Sequence, residues 1–251
     1  MDEKDREIIK DHYYLGARKS GVSKALLGNV VAVHVLISDT VSNWSSEEDV
    51  EEYKRAILDT EKALNRCAEK CGYDLKIRSV CCKIELSTEV GRTSVWWPKA
   101  FEAMGFSGVS AAQSYYEKKY DCDEAPIIFA LNRRMRSFAM MNNERSRLRL
   151  DEYSAVYRGA KDGRFNIKVM IHELLHQFGA VDLYYPQKVE EAASKYFPKS
   201  IMLYRNGNEI DELTCYLIGW TDTLTPRAVA FLKETLSLTE EEIFRARING
   251  A

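Results

Sequence analysis

The chain has 251 residues, 45% of them hydrophobic and 29% charged, enough to bury one substantial core, so one domain with two lobes is expected. A formal net charge of −2 and a pI of about 6.2 exclude the global basic field of a nucleic-acid-binding chain. The apolar run Val30 to Ile37 is far too short to span a bilayer, so no membrane is expected as a partner.

The opening Met1 to Glu7 is charged and lacks the apolar region of a secretory signal. The chain as written is therefore expected in the cytoplasm, the alternative being a secreted form whose leader has been removed. Residues 1–28 read as an N-terminal extension, with a helix over Asp2 to Tyr14 and a Gly- and Ser-punctuated loop over Gly16 to Asn29. An ordinary arm is favoured over a pro-segment.

Val30 to Ser38 is almost continuously apolar and rich in β-branched residues, the pattern of a strand buried on both faces. Ser45 or Ser46 supplies an N-cap for a helix that carries acidic residues in its first turn, runs to Cys71 and stops at Gly72. Leu75 to Leu86 is the next strand, and a loop with Trp96, Trp97 and Pro98 follows. Ser110 to Tyr120 reads as a helix; Pro126 to Leu131, Arg136 to Met141 and Tyr153 to Tyr157 read as strands, with Asn132 to Arg134 linking the first two. Asn166 to Phe178 is a helix closed by Gly179. Beyond it come an irregular region holding Pro186 and Pro198, a short helix within Glu209 to Ile218, a helix from Thr225 with Pro226 in its first turn, and a last helix over Thr239 to Arg247. Strands and helices alternate early and helices dominate late. The expected architecture is α+β: an upper lobe over 29–179 with a mixed sheet, and a smaller, mainly helical lower lobe over 180–251. The two would meet at the helix Asn166 to Phe178.

That helix carries the chemistry. His172 and His176 are four residues apart, so their imidazoles point the same way from successive turns. Two neutral imidazoles on one face can hold one zinc ion. Glu173, the next residue round, can reach a water on the metal rather than the metal itself, which is where a general base belongs. A zinc site needs a third protein ligand and an open position. Gly179 can take the left-handed conformation that ends a helix sharply, and Asp182 is then placed to deliver a carboxylate oxygen. With only 4 histidines in the chain, chance would produce the His172-Glu173-x-x-His176 spacing alone in roughly one such sequence in a few hundred, and Gly179 and Asp182 make chance rarer still.

The segment His172, Glu173, His176, Gly179, Asp182 resembles the extended HExxHxxGxxH/D signature of the metzincin metallopeptidases, with aspartate as third ligand as in the snapalysin-like branch. Ser200-Ile201-Met202-Leu203-Tyr204 is similar to the family's Met-turn. The resemblance implies a zincin-like fold with a twisted mixed sheet. It further implies Zn2+ on His172, His176 and Asp182, Met202 as an apolar floor, and Tyr204 near the metal as a group that stabilises the transition state. The implied activity is endopeptidase hydrolysis of peptide or protein substrates by a metal-activated water, with Glu173 as base and Glu173 and Tyr204 as the catalytic pair. An aspartate ligand lowers the site charge from +2 to about +1 and so weakens activation of the water. The family pairs its substrate with an edge strand, and Arg136 to Met141 is the equivalent here. Two alternatives compete: a catalytically idle zinc-binding or interaction protein of the same fold, and a non-haem iron enzyme using two histidines and one carboxylate.

The remaining features have plainer readings. Arg133, Arg134, Arg136, Arg145, Arg147 and Arg149 form a solvated basic cluster, with an acidic partner as the sharper alternative. His34 is a satisfied core histidine, and Trp96 and Trp97 are packing residues. Six cysteines without Cys-x-x-Cys spacing read as buried or half-buried free thiols in a reducing compartment.

Overall fold

Strand β1 (Gly28–Ser38) has its residues Val30 to Ile37 buried, and a strand of that kind needs partners on both edges and cover on both faces. In the computed structural model β1 pairs in parallel with β2 (Leu75–Glu85) on one edge and with β3 (Ile127–Arg134) on the other. β5 (Tyr153–Arg158) adds in parallel to β3, and β4 (Phe138–Met140) adds antiparallel to β5. The result is a five-stranded, mostly parallel sheet in the order β2-β1-β3-β5-β4. The structure describes residues 18–19, 21–91, 95–141, 152–203, 207–237, 239 and 241. Among them are seven helices, so the protein is a mixed α+β chain.

Helix α1 (Glu47–Cys71) connects β1 to β2. The Ser46 hydroxyl accepts from the Asp49 N–H at 3.3 Å, and Gly72 closes the helix at φ +77°. Its buried residues Tyr53, Ala56, Ile57, Thr60, Leu64 and Ala68 recur every three or four positions, so one stripe faces the sheet. Asn65 locks the packing by bonding both the N–H and the carbonyl of Ile77, at 2.8 and 3.0 Å. Helices α2 (Trp97–Ala103) and α3 (Val109–Tyr120) lie between β2 and β3 in sequence. Helix α4 (Ile167–Gln177) packs on α1, β4 and β5.

The described residues form two compact units. One holds residues 27–141 and 152–177, with the whole sheet and α1 to α4. Its core includes Trp96 packed edge-on against Phe129 and Tyr153, and Trp44 stacked on Phe165. The other holds residues 18–26 and those from 178 onward, with α5 (Gln187–Tyr196), α6 (Glu212–Leu217) and α7 (Pro226–Leu236). In this unit Arg18 is 5% exposed. It donates to the Tyr216 carbonyl at 2.7 Å, reaches the Asp222 carboxylate at 2.6 Å, and lies over the Tyr216 ring. Leu26 is tied on both sides, its N–H to the Ile218 carbonyl at 2.9 Å and its carbonyl to the Trp220 indole at 2.7 Å.

Several expectations change. The Trp96 to Pro98 loop holds the start of α2, whose Pro98 lies in the first turn, where a missing N–H costs nothing. The region between Pro186 and Pro198 contains α5. Asn132 to Arg134 is not a link: these residues extend β3 through an irregularity before Arg134. Arg133 is not simply solvated, since its side chain is mostly buried between Glu89 and Asp39. Cys71 and Cys81 are exposed, and none of the six cysteines forms a disulfide. The predicted helix over Asp2 to Tyr14, residues Arg145, Arg147 and Arg149, and nearly all of the helix expected over Thr239 to Arg247 lie outside the described residues. No described helix is long and apolar enough to cross a membrane.

Candidate metal centre

Helix α4 begins where the Asn166 side chain accepts from the backbone N–H of Lys168 at 2.9 Å and of Val169 at 3.4 Å, an N-terminal cap. It buries Met170, Ile171, Leu174 and Leu175. It ends at Gln177, and Gly179 follows at φ +94°, in the region that glycine enters without a Cβ penalty. His172 and His176 share one face of this helix. Their Nε2 atoms are 3.1 Å apart and their rings stand at 89° to each other. A ligating oxygen of Glu173 belongs to the same group, whose atoms all lie within 4.8 Å of one another. Glu173 and His176 are 7% and 6% exposed, while His172 is half-buried, so the group is largely screened but reachable.

The donor set fits a divalent ion. Two imidazole nitrogens bound at about 2.0–2.1 Å around a tetrahedral centre lie about 3.3–3.4 Å apart. The observed 3.1 Å differs from that by a small side-chain adjustment. Both histidines offer Nε2, which leaves Nδ1 as the protonated nitrogen of each ring when an ion is held. Imidazole and carboxylate suit zinc and also iron, so this trio constrains the class of ion more than its identity.

The structure brings His172, Glu173 and His176 together and assigns Asp182 and Met202 to the other unit. Asp182 is partly exposed there, and Met202 is fully buried. Tyr204 lies outside the described residues. The turn around Met202 is held by a network that sequence reading did not find. The Ser200 hydroxyl accepts from the Met202 N–H at 3.0 Å and donates to the Asp211 carboxylate at 2.5 Å. Asp211 also caps α6, accepting from the Thr214 N–H at 2.9 Å and hydroxyl at 2.7 Å. Burial pushes the Asp211 carboxyl above its ordinary pKa, against the pull of these hydrogen bonds. Asp211 three residues before Thr214 was a legible capping signal; its link to Ser200 was not.

The other singled-out residues take plain roles. His34 is buried with its Nδ1 at 2.7 Å from the Tyr53 hydroxyl, and burial lowers its pKa to about 3, so it is a neutral core histidine. Trp96 and Trp97 pack against Tyr153. β4 occupies a sheet edge. In comparisons with known proteins, no family model matches the chain and no curated protein is significantly similar to it.

Proposed function

We propose that the protein is a zinc-dependent endopeptidase of the metzincin type. The observation that carries this reading is the trio on α4: two Nε2 atoms 3.1 Å apart with a flanking, mostly buried carboxylate. A purely structural pair of histidines has no need of an adjacent buried acid, whereas hydrolysis needs a base beside the ligands. The spacing His172, Glu173, His176, Gly179, Asp182 and the Ser200 to Tyr204 segment support the family likeness. On this reading Asp182 is the third ligand, Met202 the apolar floor and Tyr204 a donor to the developing oxyanion. Zinc, when bound, supplies Lewis acidity and a water of lowered pKa. Glu173 would act as the base, its carboxylate taking a proton from the attacking water and handing it to the leaving amine. Backbone groups of the edge strand β4 align an extended peptide.

The test combines metal analysis with cleavage. Protein purified without added metal is expected to carry one zinc per chain and to cleave members of a diverse peptide library. Glu173→Gln is expected to retain zinc and lose at least about 100-fold in rate. Stoichiometric iron without zinc would replace the peptidase by an oxygenase-type reading. Zinc without any cleavage that Glu173→Gln abolishes would leave an idle zinc-binding protein.

A further inference from the structure

We infer that Ser154 and Gln177 are positioning residues for the metal centre, a role that rests on the zinc reading above. Both are fully or almost fully buried, at 0% and 1% exposure. The Gln177 amide donates one hydrogen to the Ile127 carbonyl of β3 at 3.1 Å and the other to the Ser154 hydroxyl of β5 at 2.8 Å. The Ser154 hydroxyl in turn donates to the main-chain carbonyl of Glu173 at 2.6 Å. The chain of donors has one direction: amide to hydroxyl to helix carbonyl. It ties the last turns of α4 to two strands at once, at the residue that lies between the two histidines.

Rotation is the motion this arrangement prevents. Imidazole nitrogens stand about 5–6 Å from the helix axis, so a 10° roll carries His172, Glu173 and His176 together by about 1 Å relative to any ligand or substrate off the helix, beyond the roughly 0.5 Å within which a site must be held. The apolar stripe Met170, Leu174 and Leu175 buries area but is non-directional and resists rolling weakly. Hydrogen bonds to strand backbone have an angle as well as a distance. The pin also carries a cost that points to geometry rather than stability. Gln177 Oε1 is buried without a hydrogen-bond partner among the described residues, a penalty a leucine of similar size would avoid.

The test measures zinc affinity by competition with a chromophoric chelator, together with the melting temperature of the zinc-free protein, for wild type, Ser154→Ala, Ser154→Thr and Gln177→Leu. Ser154→Ala and Gln177→Leu are expected to bind zinc about 10- to 100-fold more weakly, with Gln177→Leu melting no lower than wild type. Ser154→Thr keeps the hydroxyl and is expected to stay close to wild-type affinity. Cobalt-loaded Ser154→Ala is expected to show a shifted visible spectrum, because its ligand field is distorted. Unchanged zinc affinity in both loss variants overturns the positioning role while leaving the metal site standing. An affinity loss that only follows a loss of zinc-free stability overturns it as well. Wild-type protein that binds no zinc overturns both the pin and the reading beneath it.

Discussion

His34 and His176 are both buried histidines, and their neighbours give them different work. His34 faces the neutral Tyr53 hydroxyl inside the sheet unit, and burial lowers its pKa to about 3. His176 faces another imidazole and a carboxylate, the donor set of an ion. The lowered pKa of His34 has a signed consequence for stability. Between pH 6.5 and about 3 the unfolded chain binds a proton at this position and the folded chain does not, so stability rises with pH across that window. Lowering the pH from 6.5 to 5 is expected to cost about 2 kcal/mol through this residue. In denaturant titrations of zinc-free protein, His34→Gln should flatten that part of the acid limb; an unchanged slope would mean that His34 is protonated in the folded state.

Two helix ends make a matched pair of experiments at the scale of elements. Gly72 ends α1 at φ +77° with open space where a Cβ would stand, and Gly179 follows α4 at φ +94°. Gly72→Ala is therefore expected to cost about 1–2 kcal/mol of backbone strain and to leave zinc binding unchanged. Gly179→Ala should cost at least as much and, on the proposed ligand set, also weaken zinc binding, because the turn that follows α4 leads to Asp182. Equal zinc affinity in the two variants would count against Asp182 as a ligand. Helices with strong local signals were legible: α1 has a serine cap, an acidic first turn and a terminal glycine. α2 and α5 were not. α2 is only 7 residues long and starts at a Trp-Trp-Pro sequence that resembles a loop. α5 is only 10 residues long, starts directly after Pro186 without a side-chain cap and ends just before Pro198, so its flanks resemble a loop.

At the scale of the molecule, residues from opposite ends of the chain share one unit. Leu26 is fully buried and bonded through both its N–H and its carbonyl to the segment after α6. Gly219 takes φ +84° beside Ala25, where an added Cβ would come within 2.7 Å of the Ala25 Cβ. Leu26→Ala is expected to destabilise this unit by about 2–5 kcal/mol, seen as a lower denaturation midpoint and faster amide exchange at Ile218 and Trp220. Exchange unchanged at those amides would show that residues 18–26 contribute little to that core.

The clustering of His172, Glu173 and His176 was determined by sequence alone, because helical geometry converts a four-residue spacing into one face without help from distant residues. The same holds for β1, whose unbroken apolar run demands burial on both sides. Tertiary structure decided what depends on partners far away in the chain. It set the strand order that puts β4 at an edge, and it drew Arg133 into ion pairs with Asp39 and Glu89. It also joined Gln177 to Ile127, 50 residues away, through a hydrogen bond that ties α4 to β3. Such contacts leave no period or spacing to read, since a glutamine on a helix looks the same in sequence whether it faces water or holds a strand carbonyl.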